Sequence, residues 1–239
     1  MLLTPEIADK IVFDSSIPNF ERNFVAIAAH PDKEGAASHC GLVIHYNGES
    51  FLFHFDFYHG VRLEKLSDVK GIYYLSVLPI INEEEIQPFL AKCELINENE
   101  PDLEFGFAYT GEFFDENNEL IFKSPENNIT NCVFFCISVI SGFIISQRYI
   151  EYSDWTADTL AKNWYEADFL RSRRFRPFKK EDLEQFWDSV RRIPPNDYFS
   201  SAPINSLPVR KKIVDELSPI FANTIKERHG KRVRDNNPS

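Results

Sequence analysis

The stretch "NNITNCVFFC" (127–136) sets Cys132 directly after a polar cluster and Cys136 four residues later, inside an apolar run. The run 132–145 has the length of a helix and meets its first glycine at Gly142. Thr130 or Asn131 is the expected N-cap, accepting from free N–H groups of the first turn. Those N–H groups and the helix dipole stabilise an anion, so Cys132 is the nucleophile candidate. Cys136 lies a turn deeper, where desolvation raises a thiol pKa, and reads as core filler. The plainer alternative is that both cysteines simply pack.

A thiol nucleophile needs a base, and the base needs a group that orients it. The sequence offers both in one hairpin. "HCGLVIHY" (39–46) and "ESFLFHFDFY" (49–58) flank Asn47-Gly48, a pair favoured in two-residue turns whose central residues both need positive φ. The turn pairs Tyr46 with Glu49. Continued outward, it puts His39 opposite Asp56 and diagonal to His54, all on one face. Phe51, Phe53, Phe55 and Phe57 take the other face. His39 is then the expected base, and either His54 or Asp56 the orienter. Gly41, on the His39 face, leaves room for close approach. His45 and His59 read as satisfied or exposed. A metal site from His39, Cys40 and His54 is disfavoured, because neighbours 39 and 40 point to opposite faces. No metal or cofactor is expected.

These residues need elements to hold them. "FVAIAAH" (24–30) is a strand or helical turn, "GIYYLSVLPI" (71–80) a strand, and "NEEEIQPFLAKCELI" (82–96) a helix with Cys93 on its apolar side. "EFGFAYTGEFFDENNELIF" (104–122) reads as strand plus loop, and Tyr109 within it is a candidate substrate-binding residue. The buried Cys-bearing helix spans 130–146. Helices are expected over 153–170, 179–193 and 209–230, with a Pro/Ser/Asn linker over 194–208. The domain reading is a catalytic core over 1–150, a helical extension over 151–230 packing on it, and a disordered tail over 231–239.

Twenty-six Lys and Arg against 37 Asp and Glu give a formal net charge of -11, which argues against a nucleic-acid partner. Four cysteines without a CxxC pair make neither a disulfide framework nor a zinc site. The first residues lack the pattern of a secretory signal, and no apolar run reaches the ~18 residues of a membrane span. The expectation is a soluble, cytoplasmic protein without an integral membrane segment. Export by a signal-independent route leaves the same sequence signature.

The order of a His strand, a second polar strand and a Cys on a buried helix resembles the circularly permuted papain-like proteins. These include the permuted NlpC-type peptidases, the lecithin retinol acyltransferase-like enzymes and the permuted deubiquitinase-like hydrolases. "HCGLVIHY" resembles the family's His strand, His54 (with Asp56 as alternative) its second polar position, and Asn131-Cys132 with Phe135 its Cys motif. Val133-Phe134 departs from members that carry Glu-His after the Cys. The spacing from His39 to His54 is longer than in the acyltransferases, so the subfamily stays open. The resemblance covers residues 24–146. It implies an α+β fold with an antiparallel sheet on the Cys-bearing helix, and a cysteine hydrolase or acyl-transfer enzyme acting on a peptide, amide or acyl ester through a thioester. The alternative is a catalytically silent scaffold that binds a protein partner. A Cys132 pKa near 8.5 or above is the expected mark of that alternative.

Overall fold

The computed structural model describes residues 4–16, 20–99, 103–105, 129–144, 147–156 and 191–236. Among them, six strands form one antiparallel sheet of order β1-β6-β2-β3-β4-β5. They are β1 (Val12–Asp14), β2 (Phe24–Pro31), β3 (Ala37–Tyr46), β4 (Glu49–Asp56), β5 (Gly60–Lys65) and β6 (Tyr74–Val77). A parallel pair, β7 (Glu104–Phe105) and β8 (Ile129–Thr130), stands apart from it. The helices are α1 (Pro5–Ile11), α2 (Ile86–Glu98), α3 (Cys132–Ser141), α4 (Pro195–Ser201) and α5 (Lys211–Asn236). The fold class is α+β.

The hairpin forms in the expected register. Asn47 and Gly48 take φ of 50° and 82°, and the ladder runs from Tyr46↔Glu49 to Leu42↔Phe53. The pleat then sorts the side chains. Cys40, Leu42, Ile44, Phe53 and Phe55 join the main core. Val43 and Leu52 join a smaller cluster on the opposite face, with Ala26, Ala28 and Tyr73. "FVAIAAH" is a strand, buried along nearly its whole length between β3 and β6. The sequence reading has no element at β5; Val61 and Leu63 alternate with Arg62 and Glu64 over too short a run to mark a strand, and it forms because β4 offers it a paired edge.

α3 is buried all round from Val133 to Ile140. Phe135 lies 5.1 Å from Phe53 and 6.2 Å from Phe55, ring centre to ring centre. Burying each such side chain contributes roughly 1.5–3 kcal/mol, so the helix start is held by the sheet beneath it. Asn131 is the N-cap. Its side-chain oxygen accepts from the N–H groups of Val133 and Phe134, both at 3.0 Å.

The C-terminal part departs from expectation in two places. Pro195–Ser201, read as linker, is helix α4, with Tyr198, Phe199, Ser200 and Ser201 buried. Pro195 occupies the first helical turn, where its missing N–H costs nothing, and the aromatic pair drives burial. α5 continues to Asn236, through most of the segment expected to be disordered. Arg228 on Asp9 (2.8 Å) and Arg232 on Asp14 (3.7 Å) tie its last turns to α1 and β1. Tyr198, Phe199, Val214, Phe221 and Ile225 share one core with β3, β4 and α3. Tyr109 and the helices expected over 153–170 and 179–193 fall outside the described residues, apart from their ends. No helix among the described residues is long and apolar enough to cross a membrane.

Asn131→Ala should lower stability by about 1–2 kcal/mol through loss of the cap, read from the urea unfolding midpoint. Asn131→Ser should retain most of that stability. Equal losses for both would show that the cap does not hold the helix start.

Candidate active site

The candidate site lies at the end of β3 beyond Leu42. His39 Nε2 lies 2.8 Å from His54 Nδ1, and His54 Nε2 lies 3.0 Å from Glu64 Oε1. The contact needs Gly41. A Cβ there would meet Leu52 Cδ1 at 2.8 Å, His54 Cβ at 3.1 Å and the Phe53 carbonyl oxygen at 3.2 Å. Strand β5 supplies Glu64, which pairs with Leu52 and so shares the His54 face.

Glu64 sets the tautomers of both rings. A carboxylate only accepts, so His54 Nε2–H donates to it. The Nδ1 of neutral His54 is then an acceptor, and His39 Nε2–H donates to that nitrogen. His39 is left with a bare Nδ1 lone pair. That nitrogen is the available base.

Asp56, the alternative orienter, is turned away from this chain. Its carboxylate accepts from the N–H groups of Tyr58 (2.8 Å) and His59 (2.9 Å) and meets His59 Nδ1 at 2.6 Å. The ladder ends at Leu42↔Phe53, and beyond it Asp56 serves the turn into β5. His45 is buried and satisfied by Ser50 Oγ at 2.8 Å. Sequence reasoning passed over Glu64 and His30. His30 pairs with His39 across β2 and β3, and its ring lies 5.2 Å from that of Tyr73. A charged residue alternating with Leu63 was the only available sign of Glu64.

Cys132 is half-buried at the first position of α3. α3 packs on the sheet face opposite His39 and His54. The backbone N–H of Cys40, the residue after His39, favours the ionised sulfur, as do those of Val133 and Cys132. In the hairpin alternation, Cys40 is the next residue after Leu42 whose N–H points toward β4. Tyr73, on the His39 face with ring centres 6.4 Å apart, feels the charge of Cys132 among others. Cys136 is buried in α3, and Cys93 is buried in α2. Both are core.

Electrostatics differ from the sequence expectation of a thiol ionised near neutrality. Burial pushes the Cys132 thiol up, and the N–H groups and the Arg192 charge offset this only in part. Burial, then the neighbouring His54, depresses His39 to about 4. His54 is also depressed, by burial first, against the opposing pull of Glu64. The resting site therefore holds a neutral thiol and a neutral imidazole. Among the described residues, no cluster of His, Cys, Asp and Glu is arranged to hold a metal ion.

Comparison with known proteins finds no matching family model, no matching curated protein and no matching solved structure.

Two measurements test this site. Nitrogen-15 NMR at pH 7 should show His39 and His54 both as Nε2–H tautomers; an Nδ1–H tautomer at His39 would contradict the chain through Glu64. The second is stability against pH. His30, His39, His45 and His54 are all depressed, with burial the first cause. The unfolded chain takes up these protons below about pH 6.5, and folded His39 resists until about 4. Stability is therefore full above pH 6.5 and falls as pH drops toward 4. The urea midpoint should decline between pH 7 and pH 5, and His39→Gln should flatten that decline.

Proposed function

We propose that the protein is a cysteine-dependent hydrolase or acyl-transfer enzyme with a permuted papain-like arrangement, acting on a peptide, amide or acyl ester. The observation that carries this reading is the Glu64–His54–His39 chain, which leaves a bare His39 Nδ1 at the strand end where the Cys40 N–H faces the Cys132 thiol.

The neutral resting pair sets the mechanism. Cys132 Sγ attacks the carbonyl carbon as its proton passes to His39 Nδ1. The carbonyl oxygen becomes an oxyanion. The Cys132 N–H, left free by an Asn131 side chain that serves Val133 and Phe134, and the Cys40 N–H are the donors nearest the developing charge. Collapse breaks the bond to the leaving group, which takes the proton from His39, and a thioester remains. Water then attacks the thioester, giving its proton to His39 and returning Cys132 as a thiol. Glu64, through His54, stabilises His39 while it carries the proton.

A second reading, a silent scaffold that binds a protein partner, is favoured by one observation: the thiol is raised and His39 lowered, so the pair is not ionised at rest. Turnover separates the two. On a panel of p-nitrophenyl acetate, aminoacyl anilides and thioesters, Cys132→Ala and His39→Ala should each lose at least about 100-fold in kcat/KM. Glu64→Ala should lose less, about ten-fold. Folded Cys132→Ala protein with undiminished turnover would sink the hydrolase reading. A wild type no faster than buffer on every substrate class would favour the scaffold.

A further inference from the structure

The second half of α5 carries the basic run "KERHGKRVR" (226–234) in a chain whose formal net charge is -11. The cations of this run divide between two faces. Arg228 pairs with Asp9 at 2.8 Å and Arg232 with Asp14 at 3.7 Å, toward α1 and β1. By the 3.6-residue period, Lys226, Gly230, Lys231 and Arg234 share the opposite face. Among the described residues, none of those three cations has a carboxylate partner.

The turn between β2 and β3 lies against that face. Asp32 orders it, accepting from the N–H groups of Glu34 at 2.8 Å and Ala36 at 2.9 Å. The turn seats on the helix at Gly35, with φ of 85°, where a Cβ would meet Lys226 Cα at 3.0 Å. Beside this contact, turn and helix frame an open cleft of about 550 Å³. Lys33, Lys226, Lys231 and Arg234 line it, against the carboxylates of Glu34 and Glu227. Bases therefore outnumber acids in the cleft, although acids outnumber bases in the chain. A concavity at the start of α5 offers the contrast. There Arg210 pairs with Asp154 and Lys211 with Asp215, so its cations are neutralised within the chain.

Two further observations point to a ligand. Gly230 lies inside a helix, where only proline is less favourable, yet a Cβ there would meet nothing within 4 Å. Packing does not require the glycine, which leaves the floor of the cleft bare. His229, in the same lining, has a buried Nδ1 with no hydrogen-bond partner. A water or an ion in the site is one account of such an orphan.

We propose that this cleft binds a compact oligophosphate: the di- or triphosphate group of a nucleotide or of an inorganic chain. Its volume is that of a small-molecule site. Lys226 to Arg234 spreads positive charge over about 12 Å of helix axis, more than a single phosphate spans. Lysines meet phosphate oxygens as point charges, and Arg234 adds a bidentate fork. None of the lining residues belongs to the Cys132–His39 site, so the proposal does not depend on the proposed function.

Isothermal titration calorimetry of the full chain in 0.15 M NaCl tests it, with orthophosphate, tripolyphosphate and ATP as probes, each without metal. Tripolyphosphate should bind at least about ten-fold more tightly than orthophosphate, because it meets several cations at once. Lys226→Gln/Lys231→Gln, at exposed positions, should weaken tripolyphosphate binding by about ten-fold or more. Lys211→Gln/Lys212→Gln removes the same charge at the other end of the helix and should stay within about two-fold, since distant charges are screened. Gly230→Leu should keep or raise the thermal midpoint, because leucine favours a helix over glycine, and should lose about ten-fold in binding by filling the cleft floor. ATP as tight as tripolyphosphate supports the site with a nucleotide as its ligand; ATP at least ten-fold weaker supports it with an inorganic chain. No binding of 1 mM tripolyphosphate by the wild type, equal losses in both lysine pairs, or undiminished binding by folded Gly230→Leu overturns the proposal.

Discussion

Two positive φ angles, at Asn47 and Gly48, govern the arrangement of the site. A two-residue turn with both central residues in that region pairs Tyr46 with Glu49 and leaves no freedom in register. From that pairing follow the faces of every side chain on β3 and β4. His39, Gly41 and His54 share one face, and Phe53 and Phe55 are sent to the other, where Phe135 of α3 meets them. A slip of one residue in β4 would turn His54 under α3 and send Phe53 and Phe55 to the His39 face. The turn therefore places both His39 and the floor on which the Cys132 helix stands.

Within that frame, burial and reactivity pull against each other. Desolvation makes Cys132 a weaker acid and His39 a weaker base than free side chains. The Asp56 charge opposes this by favouring protonated His39, and the backbone N–H groups near the sulfur oppose it by favouring thiolate. Neither cancels the cost of burial at rest. Under the proposed function, charge separates only at attack, when an acyl carbonyl shares the charge with the same N–H groups. Rigid donors in a dry site are worth more there than in water, which is the physical case for a buried and neutral resting pair.

How much was legible in the sequence follows from the range of the interactions. The hairpin is local, so Asn-Gly and the alternation of "ESFLFHFDF" were enough to bring His39 beside His54. The start of α3 is local too, and Asn131 caps it as its side chain suggests. Glu64 was not legible, because a carboxylate on an edge strand looks like any solvated charge until β5 is docked on β4. Asp56 was a fair alternative to His54 by register alone. Its commitment to the turn depends on where the ladder stops, which is a tertiary matter. The segment "PPNDYFSS" read as linker by composition. It is a buried helix because the core formed by β3, α3 and α5 takes up Tyr198 and Phe199.

The sequence by itself determined the hairpin, its register, the capped Cys-bearing helix and the distinction between Cys132 and Cys136, all set by contacts within a few residues or across one tight turn. The tertiary structure decided that Glu64, not Asp56, ends the histidine chain, and that burial outweighs the helix start in setting the thiol. It also decided that the C-terminal helices share the sheet's core. These outcomes depend on dehydration and on partners far apart in the chain, and neither is written in local pattern.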